Sequence, residues 1–184
     1  PDPVLRWTML LHDLGKPQCF TLDEQGVGHF HGHHRPGTEM TEEICRRLRF
    51  DKAAAQRICL LVRYHDRPIP LTERAIRRAM NQLGVDGLRQ LCAVKRSDNL
   101  AQHPDYRGRQ QEIDRGEAIM EELLAKDACF SLKQLAVNGQ DMMALGLQGP
   151  AIGKMLQALL DAVMDGVVEN ERNALLSLAQ KMKN

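Results

Sequence analysis

Five residues of types that bind metal stand at or near the ends of expected helices: the adjacent pair His12-Asp13, then His33, His65 and Asp98. The pair lies in "LLHDLGKP", where leucines bury a helix and Gly15 and Pro17 stop it. Helical proteins assemble metal centres by converging side chains from several helices. Imidazole with carboxylate suits a borderline or hard divalent ion: Mg, Mn, Fe, Co, Ni or Zn. Such an ion lowers the pKa of coordinated water and offers hydroxide near neutral pH to a phosphorus centre. The plainer alternative is a set of polar helix ends, with Asp98 bonded to nearby backbone. His29, His31 and His34 fall in a turn-rich stretch and read as exposed or supporting residues.

These residues need helices to hold them, and nearly the whole chain reads as helix. Residues 4–14 are apolar. Met40, Ile44 and Leu48 recur at helical spacing, with Glu39, Glu42 and Glu43 early and Arg46, Arg47 and Arg49 late, the charge order that suits the helix dipole. Ala54, Ile58, Leu61, Val62 and His65 share one face of a third helix, which Pro68 and Pro70 end. Thr72 is placed to cap a fourth, and a fifth runs through Leu88 and Leu91 to Asp98. The exception is "CFTLDEQGVGHF", where two short stretches flank a turn and predict a small β-hairpin. Further on, 108–125 is helical, glycines break the chain near 139–149, and Ile152, Met155, Leu156, Leu159, Leu160 and Val163 form an amphipathic stripe. Asn170 is the expected cap of a last helix. The fold class is all-α with a small hairpin insertion.

At 184 residues, 43% hydrophobic and 27% charged, the composition is that of an ordinary folded protein. No apolar run approaches the ~18 residues of a transmembrane span. Five widely spaced cysteines without a C-x-x-C pair indicate neither a disulfide framework nor a zinc knuckle, and read as cytoplasmic. The opening "PDPVLRWTML", already helical and without an initiator methionine, reads as part of a longer protein. Charge is uneven: Ile44 to Arg115 holds sixteen Lys/Arg against eight Asp/Glu. That basic middle could follow a phosphate backbone, or simply be a set of solvated helix faces.

"LRWTMLLHDLGKP", "GHFHGHHRPGTEM", "LLVRYHD" and "AVKRSDNLAQ" together closely resemble the HD phosphohydrolase superfamily. The resemblance implies His12, Asp13, His33, His65 and Asp98 as ligands, with a further histidine on a helix upstream of the first residue. It implies His12 and Asp13 as catalytic, and Lys16 as the basic residue that reaches a substrate phosphate. The tail "LAVNGQDMMALGLQGPAIGKMLQALLDAVMDGVVENERNALLSLA" resembles the C-terminal part of bacterial tRNA nucleotidyltransferases, the CCA-adding enzymes and their poly(A) polymerase relatives.

By that resemblance, residues 1–105 are an HD domain and 106–184 a helical tRNA-binding tail. In such enzymes nucleotide addition belongs to an N-terminal head with a Gly-Ser motif and paired aspartates, neither of which occurs here. The implied role is gripping the body of tRNA, with Arg46, Arg49, Arg77 and Arg78 as candidate RNA contacts, plus metal-dependent hydrolysis of a phosphate ester or cyclic phosphodiester. Two other readings stay open: a free-standing HD nucleotide phosphohydrolase, and a non-catalytic helical brace for RNA.

Overall fold

The computed structural model describes residues 2–126 and 128–183, with Tyr106 described by its backbone alone. Among them, α-helices dominate and a two-stranded antiparallel hairpin is the only sheet. The chain packs as two units. The first combines the residues up to Ile69 with Leu83–Glu117; the second combines Pro70–Gln82 with the residues from Ala118 onward.

In the first unit, helix α1 (Pro3–Leu11) starts where Asp2 accepts a hydrogen bond from the Val4 N–H at 2.8 Å, with Pro3 at the first helical position. It ends at Leu11 with His12 as its C-cap, ahead of the expected stop at Gly15. A 3-10 turn (Lys16–Cys19) leads to the hairpin, β1 (Thr21–Leu22) and β2 (Gly28–His29), with Thr21 opposite His29. Helix α2 (His34–Arg47) follows His33, and α3 (Lys52–Tyr64) is capped by Asp51 at one end and closes on His65. Helix α5 (Val85–Ala101) carries Asp98 on its last turn. Leu11, Cys45, Ile58 and Val62 form the buried centre where α1, α2 and α3 meet, and Trp7 packs edge-on against Phe50 beside them. Each fully buried Ile or Val contributes roughly 1.5–3 kcal/mol of hydrophobic stabilisation, which clamps the helix ends bearing His12 and His65.

Gly15 serves packing more than helix termination. Its backbone is right-handed (φ −79°), but a Cβ there would lie 2.0 Å from the His33 carbonyl oxygen and 2.7 Å from the Gly37 nitrogen. Only glycine lets the exit of α1 press against the start of α2.

In the second unit, α4 (Glu73–Leu83) is capped by Thr72, which accepts from the Ala75 N–H at 3.2 Å as expected. Helix α6 (Gln110–Ala125) begins in the first unit and continues into the second. The second unit continues through α7 (Gly139–Ala144), α8 (Pro150–Met164) and α9 (Arg172–Lys183) around a core of Met142, Leu159, Leu160, Met164 and Leu175. The recognisable tail residues turn out to be fastenings. Asn138 and Asp141 form a capping box on α7, and Arg172 grips both Asp141 oxygens. Asn170 is not the expected helix cap: its amide donates to the Gln134 carbonyl and accepts from the Ala136 N–H, tying the loop before α7 to the start of α9. No helix among the described residues is long and apolar enough to cross a membrane.

Candidate metal centre and its cleft

The first unit brings all five sequence candidates together. His12 and His65 are the C-cap residues of α1 and α3, His33 precedes α2, and Asp98 approaches from α5. Asp13 sits in the middle: its Oδ1 lies 3.5 Å from His33 Nε2 and 3.8 Å from His65 Nε2, and its Oδ2 lies 3.3 Å from His12 Nε2. Asp98 Oδ1 is 3.4 Å from the same His12 nitrogen. Two ligand groups result, Asp13-His33-His65 and His12-Asp13-Asp98, with Asp13 common to both.

The imidazole tautomers follow from what stands behind each ring. Nδ1 of His12 faces the Met9 carbonyl at 2.8 Å, Nδ1 of His33 the Phe30 carbonyl at 2.9 Å, and Nδ1 of His65 the Val62 carbonyl at 2.6 Å. A carbonyl can only accept, so each ring donates from Nδ1 and its neutral form presents a bare Nε2. For α1 and α3 the carbonyls are those a helix end leaves without an intrahelical donor. All three Nε2 atoms face the cluster, and that of His12 is buried with no well-aligned hydrogen-bond partner among the described residues, only the Asp13 and Asp98 carboxylates beside it. The donor set therefore fits a divalent ion: bare imidazole nitrogens and carboxylates, with ring orientation fixed from behind.

Charge agrees with geometry. Burial works against the charged form of His12, yet Asp13 and Asp98 beside it push its pKa up to about 10. Asp13 is also penalised by burial, but His12 and Lys16 hold its carboxyl well below the usual range. His12 likewise lowers Asp98. Burial pushes His65 down, favouring neutral imidazole. The carboxylates thus demand positive charge at the cluster.

The cluster opens into a cleft of about 700 Å³. Lys16 lines it while donating to Asp13 at 2.6 Å. Gln102 also lines it and donates to Asp98 at 3.3 Å, one helical turn away. Arg63, Arg67 and Arg109 add cations to its wall. Lys95 works from behind, donating to the carbonyls of His65 and Arg67 at 2.8 Å each and so fixing the turn that carries both. Charge counting along the chain pools Arg63 and Arg67 with the basic middle and gives Lys95 no role. The available signal is local: Arg63 and Arg67 flank His65 two residues to either side. His29, His31 and His34, read as exposed or supporting, also line the cleft.

The four arginines proposed for RNA lie outside this cleft. Arg46 pairs with Glu43, Arg77 with Glu73, and Arg78 with Asp165, each within a single unit. Among the described residues Arg49 makes no ion pair, and it follows α2 in the left-handed region (φ 55°).

Fold and site together define an all-helical protein with a His/Asp cluster at its helix ends, and comparison with known proteins specifies which. The family described as tRNA nucleotidyltransferase domain 2 matches residues 35–179, and the chain belongs to it. It is 34% identical over 180 residues to an A-adding tRNA nucleotidyltransferase from Deinococcus radiodurans, covering 94% of this chain and 40% of that protein. It is 33% identical over 172 residues to a CC-adding tRNA nucleotidyltransferase from Thermus thermophilus, covering 92% and 38%. A multifunctional CCA protein from Thioalkalivibrio sulfidiphilus is 30% identical over 162 residues, covering 85% and 37%. The chain thus spans about two fifths of the length of the curated relatives it matches. No solved structure matches it.

Proposed function

We propose that this chain is the HD-type, tRNA-body-binding region of a cytoplasmic tRNA nucleotidyltransferase, and that it carries a divalent-metal phosphohydrolase centre of its own. Nucleotide addition would belong to an N-terminal head in the parent protein. The relatives' names support tRNA as the partner. The observation that carries the hydrolase reading is the set of three inward-facing histidine Nε2 atoms, each fixed by a carbonyl behind it, around Asp13.

His12, Asp13, His33, His65 and Asp98 would hold the ion. A divalent ion there supplies Lewis acidity toward a phosphoryl oxygen and makes hydroxide available near neutral pH. The chain's own residues do the rest. Arg63, Arg67 and Arg109 attract and orient the phosphate of an ester or cyclic phosphodiester in the cleft. Lys16, at the cleft edge beside Asp13, neutralises charge gathering on the phosphoryl oxygens and keeps the Asp13 carboxylate ionised. Gln102 holds Asp98 in place, and Lys95 holds the turn bearing His65.

The test is hydrolysis of p-nitrophenyl phosphate and of a 2′,3′-cyclic nucleotide by this chain with Mg, Mn, Fe, Co, Ni or Zn supplied in turn. Turnover that depends on metal and disappears in Asp13→Ala is expected. Equal rates in the two proteins would refute the hydrolase reading and leave a helical RNA-binding brace.

A further inference from the structure

Two unlike sets of residues line the cleft over the His/Asp cluster. Arg63, Arg67 and Arg109 supply cations on the side built by the end of α3 and the segment after α5. The hairpin supplies aromatic surface. Phe30 lines the cleft and stays 36% exposed, with the ring of Phe20 against it at 5.5 Å between centroids. Neighbouring His29 and His31, also lining the cleft, are stacked at 5.2 Å with planes 10° apart.

This aromatic surface has no part in the buried core of α1–α3, which contains neither phenylalanine. It is nonetheless built firmly. His29 bonds to Asp23 at 2.7 Å, and the other Asp23 oxygen takes the N–H groups of Gln25 and Val27 at 3.0 and 2.8 Å, which braces the hairpin turn. Gly28 gives room to Phe20: a Cβ there would come within 2.7 Å of its ring. Lys16 lies 5.7 Å from the Phe30 centroid, so the aromatic wall begins beside the residue that touches Asp13.

We propose that Phe30 and His31 form the subsite that holds the base of a nucleoside phosphate in this cleft. The base stacks on the hairpin wall, and the phosphate reaches the arginines and the cluster. The inference deepens the function proposed above and rests on its assignment of phosphate to this cleft. Base–aromatic stacking tolerates any base, so the wall selects for the presence of a base and not for its identity.

The subsite is tested in EDTA, where no metal-dependent turnover competes, by calorimetric titration of the chain with adenosine 5′-monophosphate and with ribose 5-phosphate. The two probes share sugar and phosphate and differ by the base. Stacking is worth about 1–3 kcal/mol per base, so the nucleotide is expected to bind roughly 5- to 150-fold more tightly. Phe30→Leu, checked for an unchanged melting temperature, is expected to erase most of that preference and leave ribose 5-phosphate binding unaltered. A 3′-phosphorylated tetra-adenylate separates the two sources of such a ligand. Binding tighter than the mononucleotide assigns an RNA end, and weaker binding assigns a free nucleotide. Equal affinity for the nucleotide and the sugar phosphate, or no binding of either, overturns the subsite. Hydrolysis with metal is measured separately, so a failed hydrolase reading and a failed base subsite give different results.

Discussion

His33 and His65 lie 32 residues apart in sequence, yet their Nε2 atoms meet at 3.0 Å on the floor of the cleft. Each ring gives its Nδ1 proton to a carbonyl three residues earlier, Phe30 and Val62 respectively. Two bare imidazole nitrogens this close repel through their lone pairs unless a cation, proton or metal, lies between or beside them. Asp13 faces the same pair and supplies the compensating negative charge. The arrangement is costly as packing alone and fitting as a ligand set.

Gly15 is the position where packing and site meet. In Gly15→Ala the new methyl meets backbone atoms of His33 and Gly37, which cannot swing aside. Overpacking of this kind costs about 1–3 kcal/mol, occasionally more. Thermal unfolding is expected to show that loss, and cobalt titration a weakened site, because Asp13 and His33 are pushed apart.

Three of the four arginines proposed for RNA already hold a carboxylate, and among the described residues Arg49 does not. Arg49→Ala is therefore expected to weaken tRNA binding more than Arg46→Ala in a filter-binding assay. Removing one cation that neutralises a phosphate is expected to reduce the slope of log affinity against log salt by about 0.7–0.9. Equal effects, or no salt dependence, would remove this surface from the RNA-binding role.

Asp141 sets an acid limit on the second unit. Arg172 and the Asn138 N–H hold its carboxyl below the usual range. As pH falls, the unfolded chain takes up this proton before the folded one. The stabilisation is therefore complete above the ordinary carboxylate range and is lost as pH drops through the lower folded value. Melting temperature measured against pH is expected to fall less steeply on the acid side in Asp141→Asn than in the parent, from a lower neutral starting point.

Much of this is legible in the residues. Helical spacing locates the amphipathic runs and the turn-rich 19–30 stretch marks the hairpin, whereas the His-Asp pair is joined to His33, His65 and Asp98 as one set by the resemblance to the HD superfamily, which spacing alone does not supply. Other features depend on tertiary approach, which periodicity does not encode. Gly15 reads as a helix stop and is a close backbone contact. Asn170 reads as a cap and is a bridge between a loop and α9. The histidine tautomers depend on which carbonyls a helix end leaves free. The cleft's arginines are hidden among other arginines, because charge counting does not say which face a cation occupies.

The measurement that most directly tests the metal centre is elemental analysis of the purified chain after incubation with Mn, Fe, Co, Ni or Zn and gel filtration, beside Asp13→Ala. At least one equivalent of metal in the parent chain is expected. Asp13 is common to both ligand groups, so the variant is expected to retain almost none. No retained metal in the parent, or equal amounts in both proteins, would contradict a metal centre at His12, Asp13, His33, His65 and Asp98.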